Sequence, residues 1–547
     1  MSLDDLALAL QRLVDRFVRR VRLGPRPGST ARHLLIVQID GLPRSILKEA
    51  LATGRMPFLR RLVDRGALRI TPMNVGLPTS TPAFQMATMY GVRPDIPGFH
   101  YHDKQRHSDI YFPRAGDAAH VEATQAGERT GILTGGSAYG CCFTGGADQS
   151  LFSFAMIKRP SGRGLLRALS SFVVLAWVAV KSIVLTAVEL LRAIVRLLAD
   201  PVAETERGWK WLVLKLGISV WLRQLFTLAV SSDIYRGVPA IYVNYLDYDV
   251  LAHAYGPRHR RAYHALRRID RSLRQVWRVM RRVPEYRYDL YVLSDHGQTE
   301  CTPYQRLHDG VRVERLLFDE FFDPSGIAPV RVRTPVGRRL LGAVRTLVRQ
   351  RRHGTFQRFI NYLERDFIAR LGELREAHER AGVRVVAAGP NAFVYFMNDP
   401  EPVTLEQIDE RHPGLVDELS RHRGVGFVLA RSADGPVCIW RGKRYGTSEL
   451  AEGPFARRED VDLVAEGVRD LMAMRCAGDL VLYGEGAVEG DVSFIGEHGA
   501  HAGPAWDEMQ TFIVHPASVV MPSFIRHPLA LYDHFLAYRI GEPREAA

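Results

Sequence analysis

Cysteine is scarce and unpatterned in this 547-residue chain. Cys141, Cys142, Cys301, Cys438 and Cys476 are odd in number and show no CxxC or other zinc-type spacing. That excludes a disulfide framework and fits a reducing compartment. Long uncharged runs are missing too. Ala168 to Val180 gives 13 uncharged residues, short of the roughly 18–20 that a membrane-crossing helix needs. There is no P-loop and no GxGxxG, so Gly135-Gly136 and Gly145-Gly146 read as turns. No basic run is interleaved with aromatics, so a nucleic acid polymer is not an expected partner. Repeats and low-complexity tracts are absent. Met1 to Arg32 has no signal-peptide core. Leu3, Leu6, Leu10, Leu13 and Phe17 recur there at helical spacing. The expected location is the cytoplasm, with peripheral attachment to a membrane as the variant reading.

What is present belongs to a globular protein: 46% hydrophobic and 24% charged residues. The length predicts more than one domain, or one core with inserts. The net charge of +13 favours an anionic partner, a phosphate ester or an anionic membrane surface.

Three apolar runs, Leu34–Ile39, Pro239–Leu246 and Tyr288–Leu293, read as buried strands of a parallel sheet. Each runs into acid: Asp40-Gly41, Asp247-Tyr248-Asp249 and Asp295-His296-Gly297. Asp249 and His253 lie four apart and share a helix face. A lone acid after a strand is commonly a turn or cap residue. Several at one sheet edge repel unless a cation sits among them, and oxygen and nitrogen donors suit Zn²⁺ or Mn²⁺. Pro78-Thr79-Ser80-Thr81-Pro82 precedes a helix-like run ending at Gly91. Its hydroxyls read as a helix cap, or as a nucleophile placed where a helix dipole favours an anion. A late Gly-rich stretch carries His498 and His501 ahead of a last strand near Thr511.

These motifs, in this order, resemble the alkaline phosphatase superfamily, nearest its type I phosphodiesterase/nucleotide pyrophosphatase branch. The motifs are Asp40-Gly41; Thr81 ten residues before Gly91; Asp249, His253, Gly256 and Pro257; Asp295-His296-Gly297; and the late histidine. The resemblance covers about 31–110, 236–300 and 477–518. It implies two divalent metal ions, zinc or manganese. One would be held by Asp40, Asp295 and His296 with Thr81 toward it, the other by Asp249, His253 and His501. His498 is the alternative to His501, Ser80 the reserve nucleophile, and Asp247 a neighbour at the wrong spacing. The branch uses an asparagine after the nucleophile to hold the phosphoryl oxygen. Here that position is His102, with Lys104 a second candidate for substrate binding. No Cys-x-Pro-x-Arg segment marks a sulfatase.

The expected fold is α/β, a doubly wound, mostly parallel sheet with helices on both faces, plus a helical insert and an α+β insert. The predicted boundaries are an amphipathic helix and linker (1–30), core (31–150), helical insert (151–232), core (233–310), α+β insert (311–475) and core (476–547). The expected activity is hydrolysis of phosphate esters, foremost phosphodiesters, through a covalent Thr81 intermediate at a two-metal site. The substrate would be a nucleotide or a phospholipid headgroup. The alternatives are a phosphomonoesterase or phosphonate hydrolase on the same core, or a membrane-surface protein that binds a lipid headgroup. Within 163–199, projected as one helix, Arg163, Arg167, Lys181, Glu189, Arg192 and Arg196 share one sector of roughly 80°. The rest of the circumference is apolar. Segment 163–230, with Trp209, Trp211 and Trp221, therefore either packs on the protein or contacts a membrane interface.

Overall fold

The computed structural model describes residues 32–151, 180, 183, 187, 221–322, 379–380 and 382–540. The expected N-terminal helix, most of the helical insert and residues 323–378 of the α+β insert lie outside the described residues. Within that insert, Glu379–Arg380 pairs as a strand with Val383–Ala387.

The core sheet has seven strands: β1 (His33–Ile39), β2 (Leu68–Asn74), β3 (Ser137–Tyr139), β4 (Gln149–Leu151), β5 (Ala240–Tyr245), β6 (Tyr288–Leu293) and β7 (Gln510–Pro516). Their order is β2-β7-β6-β1-β5-β3-β4. All pairings are parallel except those of β7 with β2 and with β6. β1 shows why this sheet must be covered twice. Leu34 and Ile36 join one apolar cluster, which includes Phe84, Met86, Leu531 and Phe535. Leu35, Val37 and Ile39 join another, which includes Leu251, Leu266 and Leu273. A strand apolar on both faces is stable only between two helical layers. Helices α1 (Thr81–Tyr90), α2 (Asp247–Tyr255) and α3 (Arg260–Met280) supply parts of those layers.

Register positions the site. Ile39 pairs with Tyr245, and Gln38 with Leu293. The next residues of all three strands therefore emerge at one sheet edge, the carboxyl edge where open α/β sheets take ligands.

A second seven-stranded sheet, wholly antiparallel, follows the order Glu379–Arg380, Val383–Ala387, Asn391–Phe396, Leu480–Tyr483, Phe427–Ser432, Gly435–Trp440 and Lys443–Gly446. It corrects the boundary placed at 476. Leu480–Tyr483 is a central strand of this sheet, between Asn391–Phe396 and Phe427–Ser432, and not part of the core sheet. An apolar strand next to a motif says nothing about which sheet it enters. After Gly91 the chain forms a hairpin, His100–Asp103 with Ser108–Tyr111. Its strands have four residues each, too short to display an alternating pattern.

Candidate active site

The nucleophile candidate sits at the first position of α1, whose ten residues are all buried. Pro82 fits there because its missing N–H is unpaired in any helix start. Gly91 ends the helix in the left-handed conformation at φ +66, and a side chain there would strike the ring of Tyr532. The expected hydroxyl cap does not form: no side chain caps this helix. The three hydroxyls diverge instead. Thr79 Oγ1 donates to Gly503 O and Glu508 Oε2, both at 3.0 Å. Ser80 Oγ is buried and no protein group bonds it. Thr81 Oγ1 lies 3.4 Å from Asp40 Oδ1 and 3.2 Å from His296 Nε2.

Two donor clusters meet the turn that carries Thr81, one through His296 at Thr81 and the other through His501 at Thr79. Asp40, Asp295 and His296 form one, and Asp249, His253 and His501 the other. Within each, the ligand atoms lie within 4.8 Å of one another. His296 Nε2 is 3.5 Å from Asp40 Oδ1 and 3.4 Å from Asp295 Oδ2. Asp249 Oδ1 is 3.4 Å from His253 Nε2 and 4.0 Å from His501 Nε2. Tetrahedral bonds of about 2.0 Å set donors about 3.3 Å apart, so both clusters fit a divalent ion. Asp295 Oδ2 is buried with no hydrogen-bond partner, which is how a carboxylate oxygen reserved for a cation looks.

The histidines are oriented for the same task. His296 Nδ1 lies 3.0 Å from Gly297 O, His253 Nδ1 2.7 Å from Gly499 O, and His501 Nδ1 2.8 Å from Thr79 O. With Nδ1–H donating to a carbonyl, each imidazole turns its Nε2 lone pair toward the cluster. The His296 and His501 rings stack with centroids 3.7 Å apart, which joins the two clusters. Gly41 makes room where they meet. At φ +70, a Cβ on it would lie 2.5 Å from Asp249 Oδ1.

The charges are unequally balanced. Burial first, then Asp295 and Asp249, hold the Asp40 carboxyl well above its usual range. Burial also raises Asp295, with His296 opposing. Burial would raise Asp249 too, but His253, His501 and His296 together outweigh it and hold that carboxyl low. His253 is raised in turn: burial opposes, while Asp249 and Glu497 prevail. Burial, then His296 and His253, push His501 well below the usual range.

The structure thus brings together Asp40, Thr81, Asp295 and His296 on one side, and Asp249, His253 and His501 on the other. His498 is not in the second cluster; its backbone N–H donates to His253 O. Asp247 pairs with Arg223 at 3.2 Å, and burial lifts it to about 6. His102 and Lys104 join neither cluster. His102 Nδ1 is 2.8 Å from Asp109 Oδ1, and Asp109 is held in turn by Arg384 of the second sheet. Lys104 Nζ pairs with Asp479 at 2.8 Å. Counting residues from Gly91 does not see that the second sheet takes hold of this hairpin.

Sequence reasoning missed the supporting residues. Asn244 donates to Asp40 Oδ2 at 2.6 Å, Glu497 Oε2 lies 2.8 Å from His253 Nδ1, and Gln298 donates to Asp249 Oδ1. Asn244 was within reach: it is a polar residue one position before the end of an apolar strand. Glu497 carried no such signal.

Residues 198–402 match the family model "Type I phosphodiesterase / nucleotide pyrophosphatase". That range includes Asp249, His253, Asp295 and His296. Among curated proteins no relative matches. Among solved structures, phosphonoacetate hydrolase from Sinorhizobium meliloti 1021 in complex with phosphonoformate aligns at TM-score 0.46 and 14% identity, covering 94% of this chain and 96% of that one. Murine ectonucleotide pyrophosphatase / phosphodiesterase 5 in complex with AMP aligns at TM-score 0.45 and 12% identity, covering 92% and 95%.

Proposed function

We propose that this chain is a phosphate-ester hydrolase of the alkaline phosphatase superfamily, similar to type I phosphodiesterases and nucleotide pyrophosphatases, that Thr81 is its nucleophile and that each cluster would hold one divalent ion, zinc or manganese. The observation that carries this is the position of Thr81 Oγ1, 3.2 Å from His296 Nε2 and 3.4 Å from Asp40 Oδ1, beside two three-residue donor clusters. When bound, the ions lower the pKa of the hydroxyl and offset the charge on the phosphoryl and leaving oxygens. Thr81 Oγ1 attacks phosphorus in line, the P–O bond to the alcohol breaks, and the proton lost from Oγ1 returns to that alcohol through solvent. Water then cleaves the Oγ1–P bond and restores the hydroxyl. The rigid start of α1 fixes the hydroxyl, while Asn244 and Glu497 fix the donors around it. The substrate class is a phosphodiester of the nucleotide or phospholipid-headgroup type.

The test is Thr81→Ala on the metal-loaded enzyme, assayed on aryl phosphate mono- and diesters and on a phosphonate. Loss of turnover with both ions retained is expected. Wild-type rates in that variant, or in the chelated wild type, would sink the reading.

A second property has its own support. Val180 and Ile183, 53% and 58% exposed, and Ala187, also exposed, are the described residues of the amphipathic stretch. At about 100° per residue they project opposite its charged sector. An uncovered apolar face opposite a basic stripe is the pattern of a helix lying in a membrane interface. Flotation with anionic vesicles is the check. Wild type is expected to float, and the double substitution Val180→Asp with Ile183→Asp to remain in the dense fraction.

A further inference from the structure

Asn391 begins a central strand of the second sheet and is fully buried. No protein group bonds its Oδ1 or its Nδ2. A structural asparagine in such a place ordinarily pairs at least one end, because an unpaired buried amide costs stability. The two residues before it are fixed by backbone bonds. Phe494 N donates to Gly389 O at 2.7 Å, and Gly484 N to Pro390 O at 2.8 Å.

The amide lies between two glycines. A Cβ on Gly98, in the loop that leaves α1, would be 3.8 Å from Asn391 Nδ2. A Cβ on Gly389 would be 4.0 Å from Asn391 Oδ1, 3.2 Å from His501 O and 3.6 Å from Glu497 Oε1. So one side of the amide is the loop following the nucleophile helix. The other is the loop against the histidine of the second cluster and the glutamate beside His253. No side chain from either glycine fills the seam.

We propose that Asn391 is a specificity residue supplied by the second sheet, which hydrogen-bonds the alcohol portion of the ester. This rests on the reading of the site as a phosphate-ester hydrolase. The chemistry of the amide selects the ligand. A phosphoryl oxygen would use only the Nδ2–H and would bring an anion toward Oδ1. A group that offers a donor and an acceptor together uses both ends. Sugar and glycerol hydroxyls and the edge of a nucleobase have that character, and a plain aryl group does not. A site built to bond such a group discriminates strongly against an analogue that lacks it.

The experiment compares metal-loaded wild type with Asn391→Leu. The substrates are the 4-nitrophenyl esters of thymidine 5′-monophosphate and of glycerol phosphate, against bis(4-nitrophenyl) phosphate. The expected result is a drop of at least about tenfold in the ratio of kcat/KM for the hydroxyl-bearing esters over the bis-aryl ester, mostly through KM. Tm is expected to hold or rise, since an apolar isostere removes an unpaired buried amide. An unchanged ratio overturns the proposal, and an unchanged ratio with a lower Tm identifies a structural amide bonded to water. A difference confined to one of the two hydroxyl-bearing esters identifies the alcohol that is read. If wild type hydrolyses none of the esters, the reading of the reaction has failed, and binding decides the assignment. Thymidine 5′-monophosphate and glycerol phosphate should then raise the Tm of wild type more than inorganic phosphate does, and Asn391→Leu should lose that excess. Equal excess in both proteins overturns it.

Discussion

The two donor clusters differ in depth. The side chains of Asp40, Asp295 and His296 are 4%, 0% and 0% exposed. Those of Asp249, His253 and His501 are 15%, 26% and 11% exposed. The shallower cluster balances its own charge, because His253 stands beside both Asp249 and Glu497. The deeper one has two carboxyls, one imidazole and almost no water. Buried carboxyls of that kind are held up in pKa by desolvation, as Asp40 and Asp295 are. On the proposed reading, a cation in the deep cluster would take the place of protons that its raised carboxyls otherwise keep, whereas the shallow cluster already pairs its carboxylate with His253.

The largest effect expected from that difference is on turnover and metal content. Asp295→Asn should cost on the order of 10³-fold in kcat/KM and remove one of two ions by elemental analysis. Asp249→Asn should remove one ion also, but the other. Retention of two ions by Asp295→Asn would break the comparison.

Stability follows the same logic. An ion that binds only the folded chain stabilises it, so chelation should lower the Tm of wild type. Asp295→Asn removes one of the uncompensated deep carboxyls, so its chelated form should melt higher than chelated wild type, by on the order of 2 °C. Asp249→Asn takes away one of the two carboxylates beside His253, leaving Glu497, and should give no such gain. Equal apo Tm values in the two variants would show that depth does not decide the cost.

Glu497→Gln sharpens the contrast from the other side. In the shallow cluster the Glu497 carboxylate joins the Gly499 carbonyl at His253 Nδ1, whereas His296 Nδ1 in the deep one faces a backbone carbonyl. Loss of such a partner typically weakens metal affinity roughly 10–100-fold. Metal titration should show one weakened site and one unchanged.

How much of this the sequence could carry depends on where each residue gets its meaning. Asp40, Asp249, Asp295 and their neighbouring histidines were legible because strand ends at one sheet edge follow from apolar runs and parallel pairing. Thr81 was separated from Ser80 and Thr79 only by its spacing to Gly91, and the structure gives that spacing a cause in Tyr532 packed against the glycine. His102 is held by contacts that no local pattern shows. Its surroundings are set by Asp109 and Arg384, and Arg384 is far away in the chain. Asn391 and Glu497 were invisible, because a second sheet folded over the site is a tertiary fact with no local pattern. The same holds for Leu480–Tyr483, which reads as a strand in either sheet.

The last comparison is between carboxyls that an ion can reach and carboxyls that none reaches. Behind the nucleophile turn, Glu508 Oε2 accepts from Thr79 Oγ1 and Gly503 N. Glu485 Oε2, near the same glycine, has no partner. Burial, against the pull of Arg458, raises Glu485 from 4.5 to about 8. Between those values the folded protein keeps a proton that the unfolded chain has released. Stability therefore falls as pH rises from about 4.5 to about 8, and levels off above. Glu485→Gln should flatten that decline in denaturant midpoints measured on the metal-loaded protein at pH 5, 6.5 and 8.5. Loading matters because bound ions displace protons from the clusters. The slope that remains then belongs to carboxyls outside them, and an unchanged slope in Glu485→Gln would assign it to the other raised carboxyls, Asp247 and Glu508 among them.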